Sequence, residues 1–273
     1  MATFLFWNIN KHDLTNEIIT LCHQYEVDIL ILAESTKINK IRFLERLNSG
    51  QLRKFVAPFN PSDYLSFYFK YPIDSVKPIT DDGRISIPQI SPPIGITILL
   101  VALHLPSKLY KSNEEQSLGV PRIMQTIQEA ETKMGHTNTM VIGDFNMNPF
   151  ETGLIAASCF HAVMDQQTAR EQNRIVDGQS KKYFYNPMWG RMGDTSIGPP
   201  GTYYYRGSDI SYFWNTFDQV LLRPNLLDYF SNEQLHIISK IGEKSLLDNK
   251  GKINKSISDH LPIIINLQLE KMV

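Results

Sequence analysis

The segment Val141-Ile142-Gly143-Asp144-Phe145-Asn146-Met147-Asn148-Pro149 carries the sharpest chemical signal in the chain. An apolar run ends in glycine and then offers a carboxylate, Asp144, and a carboxamide, Asn146, two positions apart. Continued as a strand, period-two alternation puts both side chains on one face, within reach of one point. Such a pair can orient a water and hold a phosphoryl oxygen; a polar strand end capped by Asx turns has the same composition. The second signal is Ile257-Ser258-Asp259-His260-Leu261-Pro262. Asp259 is a hard oxygen donor suited to Mg²⁺ or Mn²⁺, and His260 can donate to a phosphoryl oxygen or exchange a proton near neutral pH. Alone, an Asp-His pair also reads as a strand cap beside a satisfied histidine. Asp218 is a single charge inserted in the apolar run 217–222. It is either an edge-strand group facing water or a buried carboxylate needing a partner, which orienting a histidine ring would supply. Asn8, Glu34 and His104 each close an apolar run, and each alone is a weak signal.

These groups can meet only if the runs that carry them lie side by side. Short apolar runs bounded by turn signals predict strands over 4–9, 28–33, 67–69, 94–105, 140–142, 202–206, 217–222 and 261–267. Helical spacing of Leu14, Ile18, Leu21, Cys22 and Tyr25 predicts a helix over 13–25. Ile123, Ile127, Ala130 and Met134 predict another over 120–134, with Pro121 in its first turn. A shorter helix is expected over 151–157. Asp81-Asp82-Gly83 reads as a turn, Ser91-Pro92-Pro93 as a strand break, and 166–200 as a long loop of the kind that is functional or disordered. Strands grouped with interspersed helices indicate an α+β or layered α/β chain. With no repeat and no linker-like shift in composition, a single domain over 1–273 is expected. Carboxylates, carboxamides and imidazoles at the ends of so many strands favour one shared site at an edge of a layered fold.

Composition bounds the partners. Lys and Arg together number 27 against 28 Asp and Glu, so the whole-chain charge exerts no pull on a polyanion and any attraction must come from a local basic surface. Hydrophobic residues at 42% and charged residues at 20% are ordinary for a globular protein. The two cysteines, Cys22 and Cys159, have no paired metal-ligand spacing and build no disulfide framework. The start, Met1 to Trp7, is apolar but carries no basic leader, and no apolar run approaches the ~20 residues that span a bilayer. A cytoplasmic protein without a membrane anchor is expected.

Taken in order, Trp7-Asn8-Ile9, Leu32-Ala33-Glu34, Asp82-Gly83-Arg84, Ala102-Leu103-His104, Gly143-Asp144-Phe145-Asn146, Phe217-Asp218 and Ser258-Asp259-His260 resemble the endonuclease/exonuclease/phosphatase superfamily across about residues 3–269. The resemblance implies a four-layer α/β sandwich, two packed mixed β-sheets flanked by helices, with the site at one sandwich edge. It implies a hydrolase that uses Mg²⁺ or Mn²⁺, with Glu34 as the central metal ligand helped by Asn8 and Asp259. It implies that Asp144 positions or deprotonates the attacking water and that Asn146 holds the water or the phosphate. His260, oriented by Asp218, stabilises phosphoryl charge or acts as base; His104 sits near the leaving oxygen; Arg84 contacts the phosphate. In the deoxyribonuclease branch a carboxylate pairs with the leaving-group histidine, and Asp63 is the nearest candidate here.

Substrate class rests on thinner signals. Tyr203-Tyr204-Tyr205-Arg206 and Tyr212-Phe213-Trp214 could stack exposed bases or pack as an ordinary β-hairpin. Lys181, Lys182, Arg191 and Arg206 could form a basic rim or a solvated loop. Nucleic acid, DNA ahead of RNA, is the leading expectation. A phosphatase or phosphodiesterase acting on a small molecule or lipid head group is the alternative, although Trp214-Asn215-Thr216-Phe217-Asp218-Gln219 lacks the Cys and Arg of the inositol phosphatase branch. A catalytically inactive nucleic-acid-binding relative is the third reading.

Overall fold

The computed structural model describes residues 1–59 and 64–270. The first third of the chain runs β1 (Ala2–Asn8), α1 (Thr15–Gln24), β2 (Ile29–Ala33), α2 (Lys40–Leu47), β3 (Leu65–Phe69), β4 (Val76–Asp81) and β5 (Ile85–Ile90). Then come β6 (Ile98–His104), α3 (Asn113–Met134), β7 (Thr139–Asp144), α4 (Thr152–Ile155), β8 (Ala162–Val163) and α5 (Gln166–Arg170). Short strands follow: β9 (Asn173–Val176), β10 (Gln179–Lys182), β11 (Phe184–Tyr185), β12 (Tyr203–Tyr204) and β13 (Trp214–Asn215). The chain closes with β14 (Asp218–Leu222), β15 (Leu235–Ile237), β16 (Lys240–Ile241), β17 (Lys244–Ser245) and β18 (Ile263–Leu267).

Two large mixed sheets result. One has the order β15-β18-β1-β2-β3, the other β4-β5-β6-β7-β14-β11-β8. The pairs β1–β2 and β6–β7 are parallel, and their main sheet neighbours are antiparallel. Alternation along the central strands shows how the layers stack. In β6, Leu100 and Ala102 face the core shared with Phe4, Phe6 and Ile31 of the other sheet, while Leu99, Val101 and Leu103 face a second cluster with Val120, Met124 and Ile127 of α3. Strands β7 and β14 divide the same way: Ile142 and Val220 turn inward, Val141 and Leu221 outward. Helices α1 and α2 pack Ile18, Leu21, Phe43 and Leu47 against the five-stranded sheet. The order helix, sheet, sheet, helix is the expected four-layer α/β sandwich. Both faces of the central strands are buried, so they read as continuous apolar runs rather than alternating ones.

Several expected boundaries move, for local reasons. Helix α3 begins at Asn113 rather than 120, because Ser112 and Glu115 form a reciprocal capping box: Glu115 N donates to Ser112 Oγ and Ser112 N to Glu115 Oε2. Pro121 therefore lies inside the helix. It cannot donate to the Ser117 carbonyl, which instead accepts the Cys159 thiol at 3.7 Å. The expected loop over 166–200 holds α5, the β9–β10 hairpin, β11 and a 3₁₀ turn at Pro187–Arg191. Helix α2 and strands β4 and β5 stood out in no apolar pattern; β4 is an edge strand whose middle residues face water.

Candidate active site

Strand register builds most of the site. His104, Asp144 and Asp218 are direct neighbours across β6, β7 and β14. In the other sheet Asn8 pairs with Ala33, so Glu34 comes next at the end of β2. The two rows face each other where the sheets meet: Asn8 Nδ2 donates to Asp144 Oδ2 at 3.1 Å and to Glu34 Oε1 at 3.4 Å. Asp218, placed at an exposed edge by one sequence reading, is fully buried in a strand flanked by β7 and β11.

Backbone geometry then aims the groups. Gly143 crosses β6 so closely that a Cβ would lie 2.0 Å from the Leu103 carbonyl oxygen, so only glycine allows His104 and Asp144 to sit abreast. The alternation expected to bring Asp144 and Asn146 together does not operate, because β7 ends at Asp144. Asn146 instead adopts a left-handed conformation (φ 51°), its N–H donating to Asp144 Oδ1 and its side-chain Nδ2 to the Leu105 carbonyl. Glu34 is left-handed too (φ 52°), its N–H bound to the Tyr64 carbonyl and its carbonyl accepting from Lys11 N. Non-glycine residues held in this region are concentrated at functional sites.

His260 is held by its side chain and its main chain. Nδ1 lies 2.8 Å from Asp218 Oδ2 and Nε2 3.8 Å from Asp144 Oδ2. Trp7 Nε1 donates to the His260 carbonyl, and Ser258 Oγ bridges the His260 N–H to the Asn8 carbonyl. Burial presses this imidazole toward its neutral form, but the charges of Asp218 and Asp144 and the hydrogen bond outweigh it and lift it to about 10. Burial lifts the Asp218 carboxyl to about 6, against the pull of His260. At neutral pH the two form an ion pair. Tyr203, expected in a base-stacking or hairpin segment, lies in the β12–β13 hairpin and packs on His260 with ring centroids 4.9 Å apart.

His104 sits on the other side of Asp144. Its Nε2 lies 3.8 Å from Asp144 Oδ2 and 3.5 Å from Glu34 Oε1. Burial holds its pKa below the usual imidazole value despite those two carboxylates; His260 and Arg84 push the same way. Among the described residues its buried Nδ1 has no hydrogen-bond partner. Asp63, the carboxylate expected to pair with it, lies outside the described residues. Arg84 donates to the His104 carbonyl at 3.2 Å and lies over the Tyr64 ring, which packs edge-on against His104.

The donor set suits a hard divalent cation. Glu34 is only partly buried, and Asp144, joined to it through the Asn8 amide, brings further carboxylate oxygens. Asp144, Asp218 and His260 also bring one ligand atom each within 4.8 Å of one another. Asp218 and His260, however, already bind each other, which makes Glu34 with Asp144 the freer oxygen pair. Asn8 turns its amide nitrogen toward both carboxylates and its oxygen toward Asn10 N at 3.0 Å, so it would offer oxygen to a cation only after an amide flip. Asp259 is half-buried, and among the described residues no hydrogen bond or ion pair joins it to Glu34.

A brace behind the site went unread in the sequence. Gln116 of α3 donates Nε2 to the carbonyls of Pro106 (2.8 Å) and Asn146 (3.1 Å), tying the loop after β6 to the loop after β7. Its Oε1 accepts from Lys108, which also binds Glu151 at 2.6 Å. Glu151 in turn accepts from Asn148, and Asn148 Oδ1 accepts from Thr216 N. The Ser112 capping box was the one sequence signal that places Gln116 on the first turns of a helix. Thr202 Oγ1 accepts the N–H groups of Phe217 and Asp218 and had no distinguishing signal. Of the residues considered for a basic rim, Lys181 and Lys182 lie on the β9–β10 hairpin, which pairs with neither large sheet.

Comparison with known proteins agrees with this architecture. The family model described as the endonuclease/exonuclease/phosphatase family matches residues 5–260. Among curated proteins, none matches the chain by sequence. Similar solved structures include an endonuclease/exonuclease/phosphatase family protein from Leptotrichia buccalis, with TM-score 0.60, 14% identity and 98% and 99% of the two chains covered. An AP endonuclease from Archaeoglobus fulgidus superposes with TM-score 0.56, 12% identity and 98% and 99% coverage. TDP2 from D. rerio, complexed with a single-strand DNA product, gives TM-score 0.52, 16% identity and 97% coverage of each chain. At these identities the likeness is one of fold.

Proposed function

Because the chain belongs to the endonuclease/exonuclease/phosphatase family, we propose that it is a divalent-metal-dependent phosphodiesterase working at Asp144. One observation carries the reading: a buried carboxylate stands between a cationic imidazole and a neutral one, beside a second carboxylate at the mouth of the site. Paired groups whose titrations are driven apart are the mark of acid–base assignment.

In this reading Asp144 orients a water and takes its proton as the water oxygen bonds to phosphorus and the ester P–O bond breaks. Asn146 fixes the approach of that water or of a phosphoryl oxygen. His260, charged and held by Asp218, donates to a non-bridging oxygen and offsets negative charge as it builds. His104 stands at the leaving oxygen and offers it a hydrogen bond, with Arg84 beside it as a phosphate contact. Glu34, with Asp144 beside it, Asn8 after an amide flip and Asp259 as a further ligand, would hold Mg²⁺ or Mn²⁺. When bound, such an ion supplies Lewis-acid stabilisation of the anionic phosphoryl group.

The substrate we propose is nucleic acid, DNA ahead of RNA, cut within the strand. The complex of the D. rerio neighbour with a single-strand DNA product supports that class. The test is cleavage of plasmid, single-stranded DNA, RNA and an inositol phosphate in Mg²⁺ or Mn²⁺ against chelator. Glu34→Ala and Asp144→Ala are expected to abolish metal-dependent cleavage of a nucleic acid. Release of phosphate from the inositol ester alone would reassign the substrate, and full activity in both variants would overturn the site.

A further inference from the structure

Beside the site, three rings form a row, two of them exposed and the third, Trp189, half-buried. Tyr212 and Phe150 lie with centroids 5.8 Å apart, and Phe150 and Trp189 6.3 Å apart. Phe150 and Tyr212 are 38% and 47% exposed, high values for large rings that touch one another. The row starts at the catalytic rim: Phe150 follows Asn148-Pro149, and Asn148 is bonded to Asn215 and Thr216 just ahead of Asp218. Its far end opens into a cavity of about 300 Å³ lined by Trp189, Tyr183, His161, Met164 and Arg174. That is the small end of the range for ligand cavities. Here the His161 and Tyr183 rings lie 4.5 Å apart.

Charge is laid along the same edge. Exposed Arg174 donates Nε to His161 Nε2 and stands opposite Lys181 in the β9–β10 hairpin, with Lys182 next. The acidic lining residue Asp165 is engaged as the cap of α5, accepting the Thr168 N–H. A neutral chain thus places Arg174, Lys181 and Lys182 beside an aromatic path, with the exposed acids Glu171 and Asp177 just before β9 and at the hairpin turn.

We propose that the row Tyr212–Phe150–Trp189, the cavity beyond it and the basic β9–β10 hairpin form a track for an unpaired nucleic-acid strand running away from the scissile phosphate. Rings bind base faces, and only an unpaired strand exposes them; every base has such a face, so the track is indifferent to sequence. The rings meet at steep angles, 79° between Tyr212 and Phe150 and 59° between Phe150 and Trp189, so bases lie on the ring faces left exposed rather than between the rings. Arg174 and Lys181, a cross-strand pair on one face of the hairpin, then meet the phosphates. The track deepens the nuclease reading and rests on it for the position of the scissile bond.

The experiment measures fluorescence anisotropy of labelled single-stranded DNA, single-stranded RNA of the same sequence and duplex DNA, in chelator so that nothing is cut. It also measures metal-dependent hydrolysis of bis(p-nitrophenyl) phosphate, too small to reach the track. Phe150→Ala and Trp189→Ala are each expected to weaken single-strand binding about five- to tenfold. The double reversal Lys181→Glu/Lys182→Glu should weaken it and flatten its salt dependence. Phe150→Ala and Trp189→Ala should leave duplex binding unchanged, because a duplex exposes no base faces, and all three variants should leave ester hydrolysis unchanged. The DNA and RNA arms show which strand the track holds. Single-strand affinity unchanged in all variants overturns the track, as do equal losses on duplex in the two ring variants. So does ester hydrolysis lost along with single-strand binding, or anionic vesicles bound through these residues in place of either oligonucleotide. A protein that binds single strands through the track yet cleaves nothing would support the track and overturn the phosphodiesterase reading.

Discussion

Two histidines flank Asp144 at the same distance and are built in opposite ways. His260 and His104 both place Nε2 3.8 Å from Asp144 Oδ2. His260 has a buried carboxylate on its other nitrogen and is lifted to about 10; among the described residues the other nitrogen of His104 has no partner, and burial holds that ring down. A nearby anion therefore does not decide the charge of a buried imidazole. The partner at the far nitrogen does, because it supplies both a Coulombic and a hydrogen-bond contribution against desolvation. The halves also differ in how they are held. His260 is fixed by Asp218, Trp7 and Ser258, whereas His104 is fixed through its backbone by Arg84 and by the brace around Gln116.

If one ring is a cation stabilising charge and the other a neutral donor, their removal should cost different amounts. His260→Ala is expected to lower kcat on the order of 10²- to 10³-fold, the range for losing a donor aimed at developing oxyanion charge. His104→Gln, which keeps a donor in reach, should cost about tenfold, the scale of one neutral hydrogen bond. Steady-state kinetics on one nucleic-acid substrate in Mg²⁺ checks both. Equal losses would break the distinction.

Asp218→Asn sharpens the same contrast, because it removes the charge that separates the two rings. His260 should then titrate at lower pH, so activity that depends on its cation should fall earlier on the alkaline side. The expected loss is about tenfold near pH 8.5 and less near pH 6.5. Stability follows the same logic. A histidine whose folded pKa is about 10, above its ordinary 6.5, contributes stability that is fully present below 6.5 and lost as pH rises toward 10. Thermal melts should show the wild type losing stability across that window more steeply than Asp218→Asn. Parallel curves would mean that His260 is not held as a cation.

Much of this was legible in the sequence because the site lies at the ends of fully buried strands. Asn8, Glu34, His104, Asp144 and Asp218 each interrupt or close an apolar run, and burial on both faces is what makes such runs continuous. What could not be read were the contacts between runs. Asn146 reaches Asp144 through a left-handed turn rather than by alternation, and nothing in Gly-Asp-Phe-Asn announces where the strand ends. Edge strand β4, with Lys77 and Pro78 turned to water, has too few apolar residues to stand out. The start of α3 carries its S-x-x-E signature, but the helical apolar spacing begins only at Val120. Gln116 fell in that gap.

Gln116 gives the mildest and most selective break. Gln116→Leu keeps the volume but removes the amide that joins the Pro106 and Asn146 carbonyls, leaving both without that donor in a largely buried position. Stability should fall by about 1–3 kcal/mol, the cost of stranding buried polar groups. If His104 is held through this loop, kcat should fall a few-fold, within the tenfold span of a single hydrogen bond, with KM little changed. The diagnostic result is coupling. Combined with His104→Gln, the variant should add almost nothing to the loss, because both act on one half of the site. Combined with His260→Ala, the losses should multiply, because Asp144 is then the only group the two changes share. Additivity with His104→Gln would mean that the brace steadies Asn146 or the fold at large and that the two halves are not independently held.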